Sequence, residues 1–302
     1  MIIATGNILR NLTAKGDNND LIVLNDEQIK ELQKKVLSMA DDIVNICEEN
    51  NLNYHLTGGS ALGAVRHNGF IPWDDDFDID IERKDFDKLL DLIKSKYGEK
   101  YYITCPKSKE GVQTLAAHVR LNNTVVRSCN DPTNEHCGVT IDIVIIENTF
   151  NNAILRKIHG IVSLALGGIV SCRTYAKYRK HYLNLAKGNE EATKAFKNKI
   201  FIGKLLSFLT LRRWVLICNG WNSICKNNNS EYVTVPAGRN HFFGETYKRK
   251  DFCEYTRCKF EGRNWKIPKE YDKYLKHMYN DYMQIPDEKH REHHVVLEFK
   301  LD

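Results

Sequence analysis

Residues 56–80 read Leu56-Thr57-Gly58-Gly59-Ser60-Ala61-Leu62-Gly63-Ala64-Val65-Arg66-His67-Asn68-Gly69-Phe70-Ile71-Pro72-Trp73-Asp74-Asp75-Asp76-Phe77-Asp78-Ile79-Asp80. A Gly-Gly turn opens a helix of small residues from about Ser60 to His67, and Gly69 and Pro72 then break the chain. From Phe77 the pattern alternates: Phe77, Ile79 and Ile81 face one way, Asp76, Asp78 and Asp80 the other. Period two predicts a half-buried strand. Like charges about 7 Å apart on one strand face repel when partly desolvated, so the pattern costs stability unless a cation joins them. Mg²⁺ takes one or two protein carboxylates and fills its octahedron with substrate phosphate oxygens and water. Asp76 and Asp78 make such a pair for Mg²⁺, or for Mn²⁺ in its place. Asp142, on a strand predicted over 139–146, closes a triad if the two strands are neighbours. Gly58, Gly59 and Ser60 form the complementary half, because glycines let backbone N–H groups approach phosphate and a helix N-terminus adds a favourable dipole. Arg66, further along that helix, offers a forked contact to phosphate.

Simpler readings compete. A lone Gly-Gly-Ser is usually just a turn, and an acidic run is usually a solvated surface. Asp76-x-Asp78-x-Asp80 also imitates the start of an EF-hand loop, but that loop needs Gly at its sixth position and Ile81 stands there.

Outward from this stretch, Ile29, Leu32, Val36, Met39, Ile43 and Ile46 form one apolar stripe of a helix that Asp26 would cap and that runs to about Asn50. Strands are expected at 54–56, 101–105 and 115–121, and helices at about 84–97 and 269–283. Helices and strands mix without strict alternation, which predicts an α+β fold: a mixed-sheet core over 26–150, an N-terminal arm over 1–25, a basic and apolar helical region over 151–226, and a C-terminal segment over 227–302 that completes the catalytic domain.

The whole chain of 302 residues carries a formal charge of only +5, with 42% apolar and 27% charged residues, which excludes a disordered or low-complexity protein. The charge is unevenly placed. Residues 151–220 hold 13 Lys and Arg against Glu190 and Glu191 alone, a balance of +11, and the remainder balances at −6. Nine cysteines without any CxxC spacing argue for free thiols rather than zinc or a disulfide framework. No signal-peptide pattern opens the chain, and no run of about 18 uncharged apolar residues is present, so a cytoplasmic location is expected without a clear spanning helix.

The block from Gly58 to Asp78 resembles the LicD family of phosphotransferases, whose pattern runs Gly-Gly-small-Leu-Leu-Gly-Ala-Val-Arg-His and then Gly-Phe-Ile-Pro-Trp-Asp-Asp-Asp-hydrophobic-Asp. The likeness continues at Ile141-Asp142-Ile143 and through Pro268, Tyr271, Leu275, Tyr279, Asp281-Tyr282-Met283, Pro286, Lys289 and His293-His294. Two departures stand out: Val144-Ile145-Ile146-Glu147 replaces a family Phe-Pro-Leu-Asp, and Tyr279-Asn280 replaces Tyr-Gly.

The resemblance implies a nucleotidyltransferase-like fold and transfer of an alcohol phosphate from a CDP-alcohol (CDP-choline, CDP-ribitol or CDP-glycerol) to a glycan hydroxyl, with CMP released. It implies that Gly58, Gly59, Ser60, Arg66, His67 and Trp73 hold the donor; Trp73 reads either as an aromatic for a choline headgroup or as a ring packed under the turn. Lys289 or Arg291 would reach back to its phosphates. Asp142, then Asp80, would be the candidates for taking the acceptor's proton. The alternatives are an enzyme moving NMP from an NTP, which uses the same turn and carboxylates, and a non-catalytic scaffold. Nucleic acid is not an expected partner, because the acidic cluster repels phosphate unless metal is present. The basic segment, with the cluster Arg173, Lys177, Arg179, Lys180 and His181 interleaved with Tyr175, Tyr178 and Tyr182, reads either as a solvated helical subdomain or as a face whose aromatic and apolar residues meet anionic lipid at the inner side of the cell membrane.

Overall fold

The computed structural model describes residues 21–287, 291 and 295–302, so most of the expected arm and Lys289 lie outside the described residues. Its fold is α+β. The first helix, α1 (Asp26–Glu49), begins at Asn25, one residue before the expected cap, because Asn25 and Gln28 form a capping box. Its predicted stripe is buried throughout. The chain then enters β2 (Tyr54–Leu56), α2 (Gly58–His67), β3 (Asp78–Glu82) and α3 (Arg83–Tyr97).

The central sheet has the order β2-β3-β7-β5-β4, with β4 (Tyr101–Thr104), β5 (Ala117–Leu121) and β7 (Thr140–Asn148). Strands β3 and β7 are parallel, in a register that places Asp78 opposite Asp142. The other pairs on this path are antiparallel. Beyond Asp78 both faces of β3 are covered, so Asp80 and Glu82 are buried; the strand is not the half-solvated one its alternation suggests. The second cover comes from residues distant in sequence, as the contact of Arg249 with Glu82 illustrates.

Two further strands, β8 (Tyr232–Thr234) and β9 (Thr246–Lys248), extend the end of β7. A hairpin of β10 (Tyr255–Phe260) and β11 (Arg263–Pro268) adds Phe260 and Trp265 to the main core, where both rings pack on Phe77. A short sheet joins β1 (Ile22–Val23), β12 (Val295–Lys300) and β6 (Val125–Ser128), the last a strand the sequence reading missed.

Residues 153–222 are helical: α4 (Ala153–Lys177), α5 (Arg179–Leu185), α6 (Glu190–Leu205) and α7 (Leu211–Asn222). They form two small cores, one shared with Cys129 and Val295 and the other packed against Leu115. Arg83 links them to the sheet by gripping the buried Glu147 carboxylate and Asn219 Oδ1 at once. Glu147 thus serves a structural ion pair. By length and composition α4 is apolar enough to cross a membrane, although the sequence offers no uncharged run of that length; 22% of its most apolar window is buried. Within the basic cluster, Tyr175 and Tyr182 stack on each other in a core rather than face out. The exposed apolar residues include Ile154, Leu155, Ile158, Ile161 and Leu164 on α4, and Phe201, Ile202, Leu205 and Phe208 at and just beyond the end of α6. All nine cysteines are unpaired.

Candidate active site

The turn at Thr57-Gly58-Gly59 is fixed from the far end of the chain. The Tyr274 hydroxyl, on α9 (Tyr271–Tyr279), accepts from the Gly58 amide at 2.9 Å and shares a 2.8 Å hydrogen bond with the Thr57 hydroxyl. Gly58 has φ +54°, a conformation that costs a side-chain-bearing residue about 1–2 kcal/mol. Gly59 is needed for space: a Cβ there would lie 2.5 Å from an Asp74 carboxylate oxygen. Ser60 is buried, and its hydroxyl accepts from the Asp78 amide at 2.9 Å, so it sets the start of β3.

A cleft of about 670 Å³ opens over this turn. Asp74, Asp76, Asp78 and Asp80 border it, with Arg66, Trp73, Arg239, Glu245, Tyr274 and Tyr279 among the other lining residues. The carboxylates of Asp74, Asp75 and Asp76 come within 4.8 Å of one another. Asp74 and Asp75 were in view in the sequence, but the period-two pattern drew attention to Asp76, Asp78 and Asp80. Gln33 on α1 holds the loop that carries the cluster by donating to the Ile71 and Asp74 carbonyls.

Asp78 has its carboxyl pushed well above the usual range, by burial first and then by Asp76, Asp142, Asp74 and Asp80. Its neighbour across the sheet behaves oppositely. Burial opposes ionisation of Asp142, but the His118 imidazole and, more weakly, Arg120 outweigh it and hold the group below the usual range. A carboxylate can only accept, so His118 Nδ1 donates to Asp142 Oδ1, while its Nε2 lies 2.9 Å from the Thr114 hydroxyl. His118 was not singled out in the sequence; it lies 24 residues from Asp142 and no local pattern marks it.

Deeper in the cleft, Asp80 is 1% exposed, and neither of its oxygens has a hydrogen-bond partner within reach among the described residues. Burial, then Glu245, push its carboxyl well above the usual range, and the Thr57 hydroxyl that could relieve it is hydrogen-bonded to Tyr274 instead. Burial likewise lifts Glu245 to about 7, against the pull of the Asn240 amide, His277 and Arg239.

The predicted phosphate contacts are distributed differently. Arg66 borders the cleft, but its Nη1 donates to the carbonyls of Tyr282 at 2.9 Å and Gln284 at 3.3 Å, tying α2 to the C-terminal segment. His67 lies edge-on to Trp73, and burial, then Arg66, lower its proton affinity. Arg291 does return over the site: its guanidinium lies 4.3 Å from the centre of the Trp73 ring, and its Nε donates to the Pro286 carbonyl. Trp73 therefore already carries a cation on one face.

Residues 51–136 match the family model described as LicD/FKTN/FKRP, nucleotidyltransferase domain. The chain is 23% identical over 288 residues to the lipopolysaccharide cholinephosphotransferase LicD of Haemophilus influenzae, a match that covers 89% of this chain and 97% of that protein. Uncharacterized proteins of Rickettsia prowazekii and Rickettsia typhi are 43% identical over 78 residues and 39% identical over 82 residues. Those matches cover 24% of this chain and 29% and 26% of the two relatives. The nucleotidyltransferase match runs from before the glycine turn to beyond the acidic cluster, and the likeness to the cholinephosphotransferase extends over most of what remains: residues 51–136 match the LicD nucleotidyltransferase domain, and the chain as a whole is similar to one LicD protein at 23% identity.

Proposed function

We propose that the protein transfers a phosphoalcohol, phosphocholine first among them, from a CDP-alcohol to a hydroxyl of a cell-surface glycan or its lipid-linked precursor, releasing CMP. The observation that carries this reading is the register of β3 and β7. It sets Asp78 beside Asp142, and the glycine turn approaches Asp78 closely enough that a Cβ on Gly58 would stand 3.2 Å from its Oδ2. Similarity to a cholinephosphotransferase over most of the chain supports the choice of alcohol. In this reading 26–150 and 227–302 build the catalytic unit, and 151–226 is a helical addition to it.

The donor set fits a divalent cation. Negative charge is concentrated on Asp74, Asp76, Asp78 and Asp142 strongly enough to raise the proton affinity of Asp78. Asp76, Asp78 and Asp142 would hold Mg²⁺ or Mn²⁺, hard cations that prefer carboxylate and phosphate oxygens. Such an ion, when bound, supplies charge neutralisation on the transferred phosphoryl group and the departing nucleotide. The chain's own task is positioning. Tyr274 and Thr57 fix the turn, Gly59 leaves room beside it, and His118 keeps Asp142 oriented and ionised.

The acceptor is met at an anionic membrane surface on the cytoplasmic side, which suits the exposed apolar residues and the +11 balance of the helical region. Product analysis tests the reaction: CMP from CDP-choline is expected, whereas pyrophosphate from CTP would indicate the NMP-transferring alternative. Asp78→Ala is expected to cut the rate by at least about 10²–10³-fold, as loss of a central electrostatic group does. Undiminished transfer by that variant would sink the reading. A thermal-shift panel of CDP-choline, CDP-ribitol, CDP-glycerol and CTP with Mg²⁺ identifies the donor, since a ligand at 100 times its Kd adds about 2.7 kcal/mol of stability.

A further inference from the structure

Two carboxylates lie at the back of the cleft, beyond those assigned to the metal. Asp80 follows Asp78 by two residues on the same face of β3, roughly 6.6 Å along the strand. It is 1% exposed, lines the cleft, and neither oxygen accepts a hydrogen bond from the described residues. Glu245, 3% exposed, follows the short helix α8 (His241–Gly244), where the Asn240 amide donates to its Oε1 at 2.7 Å. Gly238 keeps it in place: an added Cβ would stand 2.4 and 2.5 Å from the two Glu245 oxygens.

Carboxylates buried at the wall of one cleft, one of them with no hydrogen-bond partner among the described residues, persist at a cost that a bound cation removes. The chemistry around them selects the kind of cation. A hard metal ion demands several oxygen ligands and keeps its waters, whereas the cleft that these carboxylates line also presents the aromatic and apolar side chains of Tyr274, Tyr279, Met278, Val144 and Val235. A primary ammonium or guanidinium is recognised through N–H donors at hydrogen-bond distance. A quaternary ammonium donates none, and is held by ring faces and uncompensated negative charge.

We propose that Asp80 and Glu245, with the rings of Tyr274 and Tyr279, form the subsite for the trimethylammonium headgroup and thereby select choline over neutral polyol alcohols. The inference rests on the phosphoalcohol-transfer reading and deepens it. A two-carbon alcohol whose phosphate lies beside Asp78 extends its nitrogen along β3 toward Asp80. Glycerol or ribitol in the same place would leave both carboxylates uncompensated.

Isothermal titration of choline chloride, CDP-choline and CMP into wild type, D80N, E245Q and the double variant tests this. Choline and CDP-choline are expected to bind wild type. The double variant should bind CDP-choline weaker by on the order of tenfold or more, with CMP affinity unchanged, because only the charge partner of the headgroup is lost. The amide replacements keep shape, so circular dichroism should report an intact fold; should D80N fail to fold, E245Q alone carries the same comparison. Equal CDP-choline affinity in the variants, or a parallel loss of CMP affinity, overturns the subsite. The kcat/KM ratio for CMP release from CDP-choline over CDP-glycerol separates the two proposals. A wild type that turns over CDP-choline with a ratio the variants share overturns the subsite and leaves the transferase reading standing. Choline binding that the variants lose, in a protein that releases no CMP, upholds the subsite and removes the transferase reading.

Discussion

One oxygen of Asp142 is committed to His118 and His118 is in turn held by Thr114, so the carboxylate is oriented from behind before any ligand arrives. Partners of this kind are worth roughly 10–100-fold when removed. His118→Ala is therefore expected to lower kcat for phosphoalcohol transfer by about that factor, with His118→Asn, which retains a donor near Nδ1, recovering part of it. Full activity in His118→Ala would take the imidazole out of the mechanism. Glu245 offers a test in stability. Burial raises its carboxyl from 4.5 to about 7, so between these values the fold keeps a proton that the unfolded chain has lost. Stability accordingly falls as pH rises through that window, and this contribution is flat below it and above it. Glu245→Gln escapes the penalty. Its advantage over wild type in urea melts should be absent near pH 4.5 and reach on the order of 3 kcal/mol above pH 7. A difference that does not vary with pH would place that carboxyl at its ordinary value.

Among the elements, α4 and the end of α6 carry the surface that most needs explaining. Ile154 and Phe208 are each 71% exposed, and Leu205 and Phe201 are 65% and 63% exposed. Exposed lysines and arginines accompany them, Lys157, Lys204 and Arg213 among them. Arg173, by contrast, donates to the Gly203 carbonyl at 2.7 Å and binds two helices together. Charge removal is best made at Lys157, Lys177, Lys204 and Arg213. Each basic residue near an anionic bilayer contributes about 1 kcal/mol, so the quadruple Ser variant should lose most vesicle co-sedimentation, and salt should do the same to wild type. Wild type that remains in the supernatant with anionic vesicles at low salt would return this surface to a soluble acceptor. Local signals made several elements legible in the sequence: the stripe of α1, the Gly-Gly turn, and the period-two run that becomes β3. They failed where a partner lies far away. Val125–Ser128 is four residues long and is a strand by virtue of β12, and the tyrosines of the basic cluster look interfacial until their stacking is seen.

For the molecule as a whole, the C-terminal residues are structural. Strand β12 is the centre of its three-stranded sheet, and Val295, Val296 and Leu301 are buried. Truncation after Pro286 exposes those partners, and at about 1.5–3 kcal/mol for each buried aliphatic side chain should cost on the order of 5 kcal/mol or more. A loss of ligand affinity in that truncation would report unfolding as readily as a lost phosphate contact; an unchanged melting temperature would show that β12 is dispensable. The candidate site divides in the same way. Gly58, Gly59, Asp76 and Asp78 were readable because they are neighbours in sequence, and Asp142 because its strand alternates. Tyr274, His118 and Glu245 were not, since each owes its place to the folded chain. The bond from the Gly58 amide to Tyr274 joins residues 216 apart. At synthesis rates of about 5–20 residues per second, the turn waits roughly 10–40 s on the ribosome for the hydroxyl that will hold it. A nascent chain therefore carries its acidic motif long before it has a cleft, and a message cut short ahead of Tyr274 yields a protein with the whole acidic motif and no hydroxyl to hold its turn.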